Sequence, residues 1–422
     1  MKERIEFGMK YVIIGNSAAA VGCIEGIRQI DRESPITLIA SEPHHTYSRP
    51  LISYLLCGRT DEERMKYRPD SFYEENGVQA LLGQTVTAID PEKKTVSLSD
   101  GEQISYDKLM VATGSRPFVP PIDGLDQVKN KFTFMTLDDA HALENALTPS
   151  SRVLIMGAGL IGLKCAEGIE GKAASITVVD LADHILPSIL QPEPAALVQK
   201  YIESHSSIRF VLGDAAARFT ENTAVLKSGK ELPFDVLCVC VGVRPNTALI
   251  SEAGGAVGRG ITVNEKSETS LPDIYAGGDC TECHDITIDG TRILALLPNA
   301  YLQGETAGIN MAGGVNGEEK LFDTAIPLNA IGFFGLHMVT AGSYDGEVTV
   351  QSGEDSYRLF AVKDGHLNGF ILIGDVARAG IYTSMIRTQR PIDSVDFELL
   401  LEKPQLMAFT RADRKEMLAK AH

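Results

Sequence analysis

Small residues form two turns of a type that binds phosphate, and each turn directly follows a short apolar segment. The first turn spans residues 15–22 after the segment 11–14, and the second spans residues 157–162 after the segment 152–156. Glycine and other small side chains let backbone N–H groups at a helix N-terminus approach a pyrophosphate. The sequence therefore predicts two strand-turn-helix units, each able to bind one dinucleotide.

The second turn has the complete G-x-G-x-x-G pattern, whereas the first has Ser17 in place of the middle glycine. One such pattern is weak evidence, but two in the right context argue against ordinary glycine turns. Candidate cofactor-binding residues in the two turns are Gly15, Ser17, Ala18, Ala19, Gly157, Gly159, Leu160, Ile161 and Gly162.

An acid at the end of the second strand of each unit is expected to hold the adenosine ribose. In the second unit, the apolar segment 175–179 is followed by Asp180, whose carboxylate can accept both ribose hydroxyls and repel a 2′-phosphate. Residues 181–184 contain no arginine for that phosphate, so the sequence favours NADH over NADPH. In the first unit the strand ends at Ala40, and Glu42 is the nearest acid.

A third motif, IYAGGD at residues 274–279, follows the two turns. The order of these motifs resembles the FAD- and NAD-dependent pyridine nucleotide-disulfide oxidoreductase superfamily. Within it the chain is most similar to NADH:rubredoxin reductases, ferredoxin reductases of oxygenase systems and the flavin region of assimilatory nitrite reductases. The matching segments are residues 15–20, 47–50, 112–117, 157–162, 241–246 and 276–279.

The resemblance implies that FAD and NADH are the cofactors, with FAD in the first unit and NADH in the second. It implies that Asp279 holds the ribityl chain and that Arg49 and Pro50 lie beside the flavin. A helix predicted to open at Pro298 would point its N-terminus at the flavin and favour negative charge there. Further cofactor-binding residues implied by the motifs are Ala112, Thr113, Gly114, Gly242 and Gly278.

The predicted fold class is α/β, with two Rossmann-like three-layer nucleotide-binding domains and a small α+β domain at the C-terminus. The resemblance implies a discontinuous FAD-binding domain, residues 1–121 and 244–318, with the NAD-binding domain, residues 122–243, inserted between its parts. Residues 319–422 are the expected C-terminal domain.

Two β-rich segments in this last domain, residues 358–362 and 369–373, flank a turn at Asp364-Gly365. This pattern predicts an antiparallel hairpin, followed by a helix near residues 381–387. The arrangement resembles the small C-terminal domain of rubredoxin reductases.

No cysteine occupies the place beside the flavin where many relatives carry a redox-active thiol. Disulfide reductases carry a CxxxxC pair there and NADH oxidases and peroxidases a single cysteine, whereas this chain has Arg49 near that place. We therefore expect electrons to leave reduced FAD directly. Cys57, further along the helix, is interpreted as a packed thiol.

Cys280 and Cys283 form a CxxC motif directly after the acid of the third motif. A CxxC motif can be a redox or metal half-site. A zinc site needs more ligands, and only His284 adjoins the pair. Two unpaired thiols in a loop is the preferred interpretation, and no metal is expected.

Lys164 and Tyr54 are the candidate catalytic residues. Most relatives place a glutamate where this chain has Lys164, and several place a lysine where it has Tyr54. In those relatives the two side chains form an ion pair near the flavin, so both partners have changed here. One hypothesis places the Lys164 ammonium near the flavin, where it stabilises the anionic reduced form. The alternative is a lysine that extends along its helix to solvent.

Composition narrows the function classes. A net charge of −17 argues against nucleic acid as a partner, because phosphates require basic patches. The chain lacks the run of about 18 apolar residues that a membrane span needs. Its first eight residues carry charges where a signal peptide is apolar, and its seven cysteines suit a reducing compartment. We expect a cytoplasmic protein, monomeric or homodimeric.

These observations predict an NADH-dependent flavoprotein reductase. Hydride is expected to pass from NADH to FAD, and electrons then to an external acceptor, a small iron-sulfur protein of the rubredoxin or ferredoxin type. Such acceptors are generally acidic, so docking needs a local basic patch, for which Arg378, Arg387 and Arg390 are the candidates. An NADH oxidase that reduces dioxygen and a non-catalytic module that senses redox state through bound FAD and NAD are the alternatives.

Overall fold

The computed structural model describes residues 8–419. The expectation about a signal peptide falls almost entirely on residues outside this part. Within the described residues no helix is long and apolar enough to span a membrane.

The first nucleotide-binding unit is built on a five-stranded parallel sheet. In spatial order its strands are Ile274–Ala276, Lys108–Val111, Tyr11–Ile14, Ile36–Ala40 and Val78–Leu82. Its edge strand comes from a part of the chain that follows the second unit, so the first unit is discontinuous. One face packs against the helices Ala18–Ile30 and Leu297–Met311, and the other against an antiparallel sheet of Val86–Asp90, Thr95–Leu98 and Gln103–Ser105.

The second unit repeats this plan. Its five parallel strands, in spatial order, are Arg209–Leu212, Ser175–Asp180, Arg152–Met156, Val236–Val239 and Lys131–Phe132. Its helices are Leu137–Ala146, Leu160–Ile169 and Pro192–His205, and its antiparallel strands are Ala216–Phe219, Thr223–Leu226 and Glu231–Pro233. A two-stranded ribbon of Ser115–Pro117 and Val243–Pro245 joins the two units. Leu160–Ile169 is called the second glycine-rich helix below.

The C-terminal part contains a five-stranded antiparallel sheet. In spatial order its strands are Leu328–Phe333, Leu336–Gly342, His366–Ile373, Tyr357–Lys363 and Glu347–Ser352. Its helices are Ala379–Arg387, Phe397–Glu402 and Arg411–Ala419. The predicted hairpin and the helix after it are confirmed, as is the predicted α/β fold class with a small C-terminal α+β domain. The domain boundaries at residues 121, 243 and 318 stay predictions.

Shorter elements complete the described chain. The helices among them are Ile52–Leu56, Glu62–Met65, Phe72–Glu75 and Ala248–Glu252, and the strands are Ile261–Thr262, Thr281–Asp285 and Gly290–Arg292. Single 3-10 turns lie at Arg49–Leu51, Leu125–Gln127, Ile392–Ser394 and Leu406–Ala408.

The C-terminal sheet shares a hydrophobic core with the second unit. Phe333, Met338 and Leu359 on one sheet face pack in the same buried cluster as Leu163 of the second glycine-rich helix and Leu56 of the first unit. Tyr382, on the helix Ala379–Arg387, covers the opposite sheet face. The three parts therefore meet around one core.

Glycines bring the helices Ala18–Ile30 and Leu297–Met311 into backbone contact. A Cβ atom added to Gly22 would lie 2.3 Å from the carbonyl oxygen of Tyr301, and one on Gly304 would lie 2.0 Å from that of Ala19. A Cβ atom added to Gly26 would lie 2.4 Å from the carbonyl oxygen of Glu305, and one on Gly308 would lie 2.1 Å from that of Cys23. Because residue numbers rise together along both helices, the pair is parallel and both N-termini lie at the same end.

This close contact predicts that Gly304→Ala lowers the free energy of unfolding by about 1–3 kcal/mol, because an added methyl group forces the helices apart. The matched control is Gly380→Ala, which also lies in a helix but has no atom within 4 Å of its added Cβ. That control should be neutral or stabilising by roughly 0.5–1 kcal/mol. Urea unfolding of both variants at saturating FAD measures the difference, and equal midpoints would contradict the packing argument.

Candidate functional site

A cleft opens at the carboxyl ends of the parallel strands of the first unit. Eleven of the predicted cofactor-binding residues line it together: Gly15, Ser17, Ala18, Ala19, Glu42, Arg49, Ala112, Thr113, Gly114, Gly278 and Asp279. The predicted residues Pro50 and Pro298 do not line it. Other lining residues were not among the predicted binding residues: Asn16, Tyr47, Ser115 and Asn246 lie inside the matched motif segments, whereas His45 follows no local pattern.

The chemistry of this cleft fits a dinucleotide such as FAD. Gly15 has a φ of 117°, and a Cβ there would lie 2.1 Å from the carbonyl oxygen of Ala112, so only glycine fits. The helix Ala18–Ile30 starts without a side-chain cap, which leaves its first N–H groups free to bind phosphate. His45 Nε2 is buried without a hydrogen-bond partner, so the cleft wall holds a polar atom that a ligand can satisfy.

Glu42, the acid proposed for the FAD ribose, is held in a network of side chains. Its carboxylate forms an ion pair with Arg49 and accepts a hydrogen bond from the Tyr47 hydroxyl at 2.7 Å. The Tyr47 hydroxyl in turn accepts the N–H of Leu137 at 3.0 Å, where the first helix of the second unit begins. The network therefore links the cleft wall to the second unit and occupies much of the Glu42 carboxylate.

Asp279 lines the cleft. Burial raises the pKa of its carboxyl group above the usual range, and the positive charge of Arg49 acts in the opposite direction. A partly desolvated carboxylate facing a cleft is a strong hydrogen-bond acceptor for ligand hydroxyls. This position is compatible with the ribityl-binding role that the resemblance implies.

The second glycine turn has the geometry of a phosphate-binding turn. Gly157 has a φ of 107°, and Gly162 leaves no room for a side chain, since its Cβ would lie 1.9 Å from the Gly157 carbonyl oxygen. Open space surrounds Gly159, at the uncapped start of the second glycine-rich helix, whose first residues are Leu160 and Ile161. Gly242 has a φ of 109° and also faces open space.

Asp180 lies at the carboxyl end of the strand next to this turn. Its two carboxylate oxygens accept the N–H groups of Ala158 at 2.6 Å and Ala182 at 2.8 Å. These bonds fix the carboxylate beside the glycine turn, where a nucleotide ribose is expected.

Lys164 and Tyr54 come together, but neither lines the cleft. The Lys164 ammonium lies 4.5 Å from the centre of the Tyr54 ring and forms an ion pair with Glu167. With 17% of its side chain exposed, Lys164 does not extend into solvent as the alternative interpretation expected. Sequence reasoning missed Glu167, although its spacing of three residues from Lys164 on a helix is a recognised signal for such a pair.

Cys280 and Cys283 are free thiols, and Cys283 lies in the strand Thr281–Asp285 and not in the loop that was expected. Cys280 and Cys283 are buried in different hydrophobic clusters, and burial raises the pKa of both thiols, that of Cys283 to about 12. No cysteine lines the cleft. The described residues contain no group of three side chains able to hold a metal ion.

Comparison with known proteins matches residues 9–304 to the pyridine nucleotide-disulphide oxidoreductase family. The chain belongs to this family. Subunit epsilon of the NADH-dependent phenylglyoxylate dehydrogenase of Aromatoleum evansii is 31% identical over 392 residues, which cover 89% of this chain and 91% of the relative. Putidaredoxin reductase CamA of Pseudomonas putida is 32% identical over 320 residues, 73% of this chain and 75% of the relative.

Among solved structures, the covalent putidaredoxin reductase-putidaredoxin complex is similar with a TM-score of 0.84. The identity is 25%, and the match covers 98% of this chain and 99% of the other. Family membership, predicted from the motifs, is confirmed. The protein is an FAD-dependent NAD(P)H oxidoreductase with FAD and NADH as cofactors.

The buried carboxylate of Asp279 leads to a prediction about stability. The folded-state pKa of Asp279 lies above that of the unfolded chain, so burial of its charge destabilises the FAD-free protein at neutral pH. This destabilisation is relieved as the pH falls through the raised pKa. Asp279→Asn should therefore raise the melting temperature of the FAD-free protein at neutral pH and reduce the dependence of that temperature on pH.

The same substitution should weaken FAD binding by about tenfold to 150-fold, because hydrogen bonds to a charged group contribute about 1.5–3 kcal/mol. Flavin fluorescence titration and thermal unfolding measure the two effects. Glu221→Gln, which removes one exposed negative charge outside the cleft lining, is the control. An Asp279→Asn variant with unchanged FAD affinity would contradict the assigned role.

Proposed function

We propose that the protein is an NADH-dependent reductase that delivers electrons from FAD to a small iron-sulfur protein. The observation that carries the proposal is a nucleotide cleft with no cysteine in its wall, next to a second glycine turn suited to NADH. When bound, FAD accepts a hydride and can release its electrons one at a time. The protein itself supplies binding and orientation.

We assign the binding roles to the two cofactors as follows. The N–H groups at the start of Ala18–Ile30 hold the FAD pyrophosphate, and Asp279 holds its ribityl chain. The parallel helix Leu297–Met311, which starts at the same end, directs its positive terminus toward the flavin. Gly159 and Asp180 hold the pyrophosphate and the adenosine ribose of NADH.

Two relatives support an iron-sulfur acceptor. One is a putidaredoxin reductase, and a similar solved structure shows such a reductase joined to putidaredoxin. The relative from Aromatoleum evansii is a subunit of an NADH-dependent dehydrogenase, which is compatible with electron transfer to a partner protein. Rubredoxin and ferredoxin are the acceptors to test first.

The arginines considered for docking are not all available to an acceptor. Arg378 is exposed just before the helix Ala379–Arg387, whereas Nε and Nη2 of Arg387 at the end of that helix are buried. Arg390 is paired with Asp413 at 3.1 Å. We therefore propose that the docking site for an acidic acceptor includes basic residues from other elements.

Anaerobic mixing with NADH tests the proposal. The flavin absorbance should bleach rapidly, and added rubredoxin or ferredoxin should then be reduced faster than dioxygen. Rapid peroxide formation with no transfer to either carrier would favour the oxidase instead, and a flavin that stays oxidised would favour a non-catalytic module.

Asp180→Asn should raise the KM for NADH by about tenfold or more and change the KM for NADPH less. The substitution removes a charged acceptor for the ribose hydroxyls, and a hydrogen bond to a charged group contributes about 1.5–3 kcal/mol. Asp183→Asn is the matched control, since that acid lies close in sequence and its side chain is 85% exposed. Steady-state kinetics with both coenzymes decide the point, and equal effects of the two substitutions would rule out the assignment.

We also propose a cytoplasmic location, because all seven cysteines are free, as is usual in a reducing compartment. A monomer or a homodimer is the expected oligomeric state, and sedimentation analysis would distinguish the two.

A further inference from the structure

All three parts of the protein meet at the side chain of Lys164. Its ammonium forms an ion pair with Glu167 on the same helix and donates a hydrogen bond to the Gly332 carbonyl oxygen at 3.2 Å. The ring of Tyr54, from the first unit, lies 4.5 Å away, and the ring of Phe333, from the C-terminal sheet, lies 5.5 Å away. Lys164 belongs to the second unit and therefore contacts both the first unit and the C-terminal part.

Glu167 completes this junction. Its side chain is only 6% exposed, yet it carries a carboxylate, which is costly unless charge and hydrogen-bonding partners surround it. One carboxylate oxygen accepts the backbone N–H of Phe334 at 2.9 Å and lies 3.6 Å from the Arg59 guanidinium. The ammonium of Lys164 supplies the remaining partner.

The hydrogen bond to Phe334 supports an unfavourable backbone conformation. Phe334 has a φ of 51°, a left-handed value that is rare for a bulky side chain, in the two-residue turn between Leu328–Phe333 and Leu336–Gly342. Such a conformation persists only where the surrounding structure holds it. Glu167 thus fixes the tip of a hairpin that belongs to the C-terminal sheet.

The charges at the junction nearly cancel. Lys164 and Glu167 are both shielded from solvent, whereas Arg59 is 52% exposed and its charge is screened by water. The pair faces the FAD cleft indirectly, because Lys164 contacts Tyr54 on the helix Ile52–Leu56, and this helix directly follows the 3-10 turn that Arg49 of the cleft wall begins. An unbalanced charge that is shielded from solvent beside this helix would act on the flavin.

We propose that Glu167 is a positioning residue that neutralises Lys164 and holds the C-terminal hairpin against the second glycine-rich helix. The proposal rests on the proposed function only in that FAD occupies the cleft. Lys164 then contributes no free positive charge to the flavin; it acts as half of a neutral pair that fixes Tyr54 and the hairpin.

A charge-compensation cycle tests the electrostatic half of the proposal. Glu167→Gln keeps an oxygen for the Phe334 N–H but leaves Lys164 unbalanced, so the flavin midpoint potential should rise. Lys164→Met leaves Glu167 unbalanced, so the potential should fall. Each change should alter the equilibrium constant for two-electron flavin reduction by roughly tenfold, or about 30 mV.

The double variant Lys164→Met/Glu167→Gln should return to the wild-type potential. The matched control is the more exposed ion pair between Lys172 and Glu144 on the same unit. The variants Lys172→Met and Glu144→Gln, alone and combined, should leave the flavin midpoint potential unchanged. The proposal is overturned if the Glu167→Gln potential equals that of wild type, or if the double variant retains the shift of Lys164→Met. The midpoint potentials are measured by equilibration with redox dyes and require no NADH. Whether NADH reduces the flavin is tested separately with the wild-type protein, so failure of the proposed function is distinguished from failure of this proposal.

Hydrogen exchange tests the positioning half. Glu167→Ala removes the acceptor of the Phe334 N–H, so amide exchange in residues 332–336 should speed up by tenfold or more, while Glu167→Gln should show a smaller change. Unchanged exchange in the alanine variant would overturn this half. If that variant fails to fold, faster exchange in Glu167→Gln than in Lys172→Met supports the proposal, and equal exchange contradicts it.

Discussion

The close contact between two parallel helices is the constraint on which the FAD cleft depends. Four glycines, Gly22, Gly26, Gly304 and Gly308, remove the side chains that would otherwise separate Ala18–Ile30 from Leu297–Met311. The two helices come from opposite ends of the first unit, and their contact places both N-termini at one end of the sheet. Two helix termini with positive partial charge thereby face a region where a dinucleotide needs its phosphates and flavin stabilised.

The second constraint is the way in which charge is balanced around this cleft. Arg49 interacts with Glu42 and lies near Asp279, while Lys164 is balanced by Glu167 a short distance away. Many relatives carry a cysteine beside the flavin, but here the cleft wall has none, and Arg49 and Lys164 are each paired with a carboxylate. In the proposed function, electrons therefore leave FAD for the acceptor with no thiol of the cleft wall as a relay.

The C-terminal part acts as more than a cover for the two nucleotide units. One face of its sheet enters the core of the second unit, and the turn at Phe334 reaches the second glycine-rich helix. The network around Tyr47 makes a similar link between the cleft wall and the start of Leu137–Ala146. These links couple the relative position of the two cofactor sites to packing and hydrogen bonds outside both sites.

The sequence by itself determined the two strand-turn-helix units, the acid after the second strand of the NAD unit and the C-terminal hairpin. These features depend on local rules, because a glycine turn, an apolar strand or an Asp-Gly turn requires the right residues only within a short segment. Only the tertiary structure decided that His45 lines the cleft, that Glu42 is paired with Arg49 and that two guanidinium nitrogens of Arg387 are buried. It also decided that Lys164 and Glu167 meet the C-terminal turn, since that contact joins residues 167 positions apart and no local pattern encodes it.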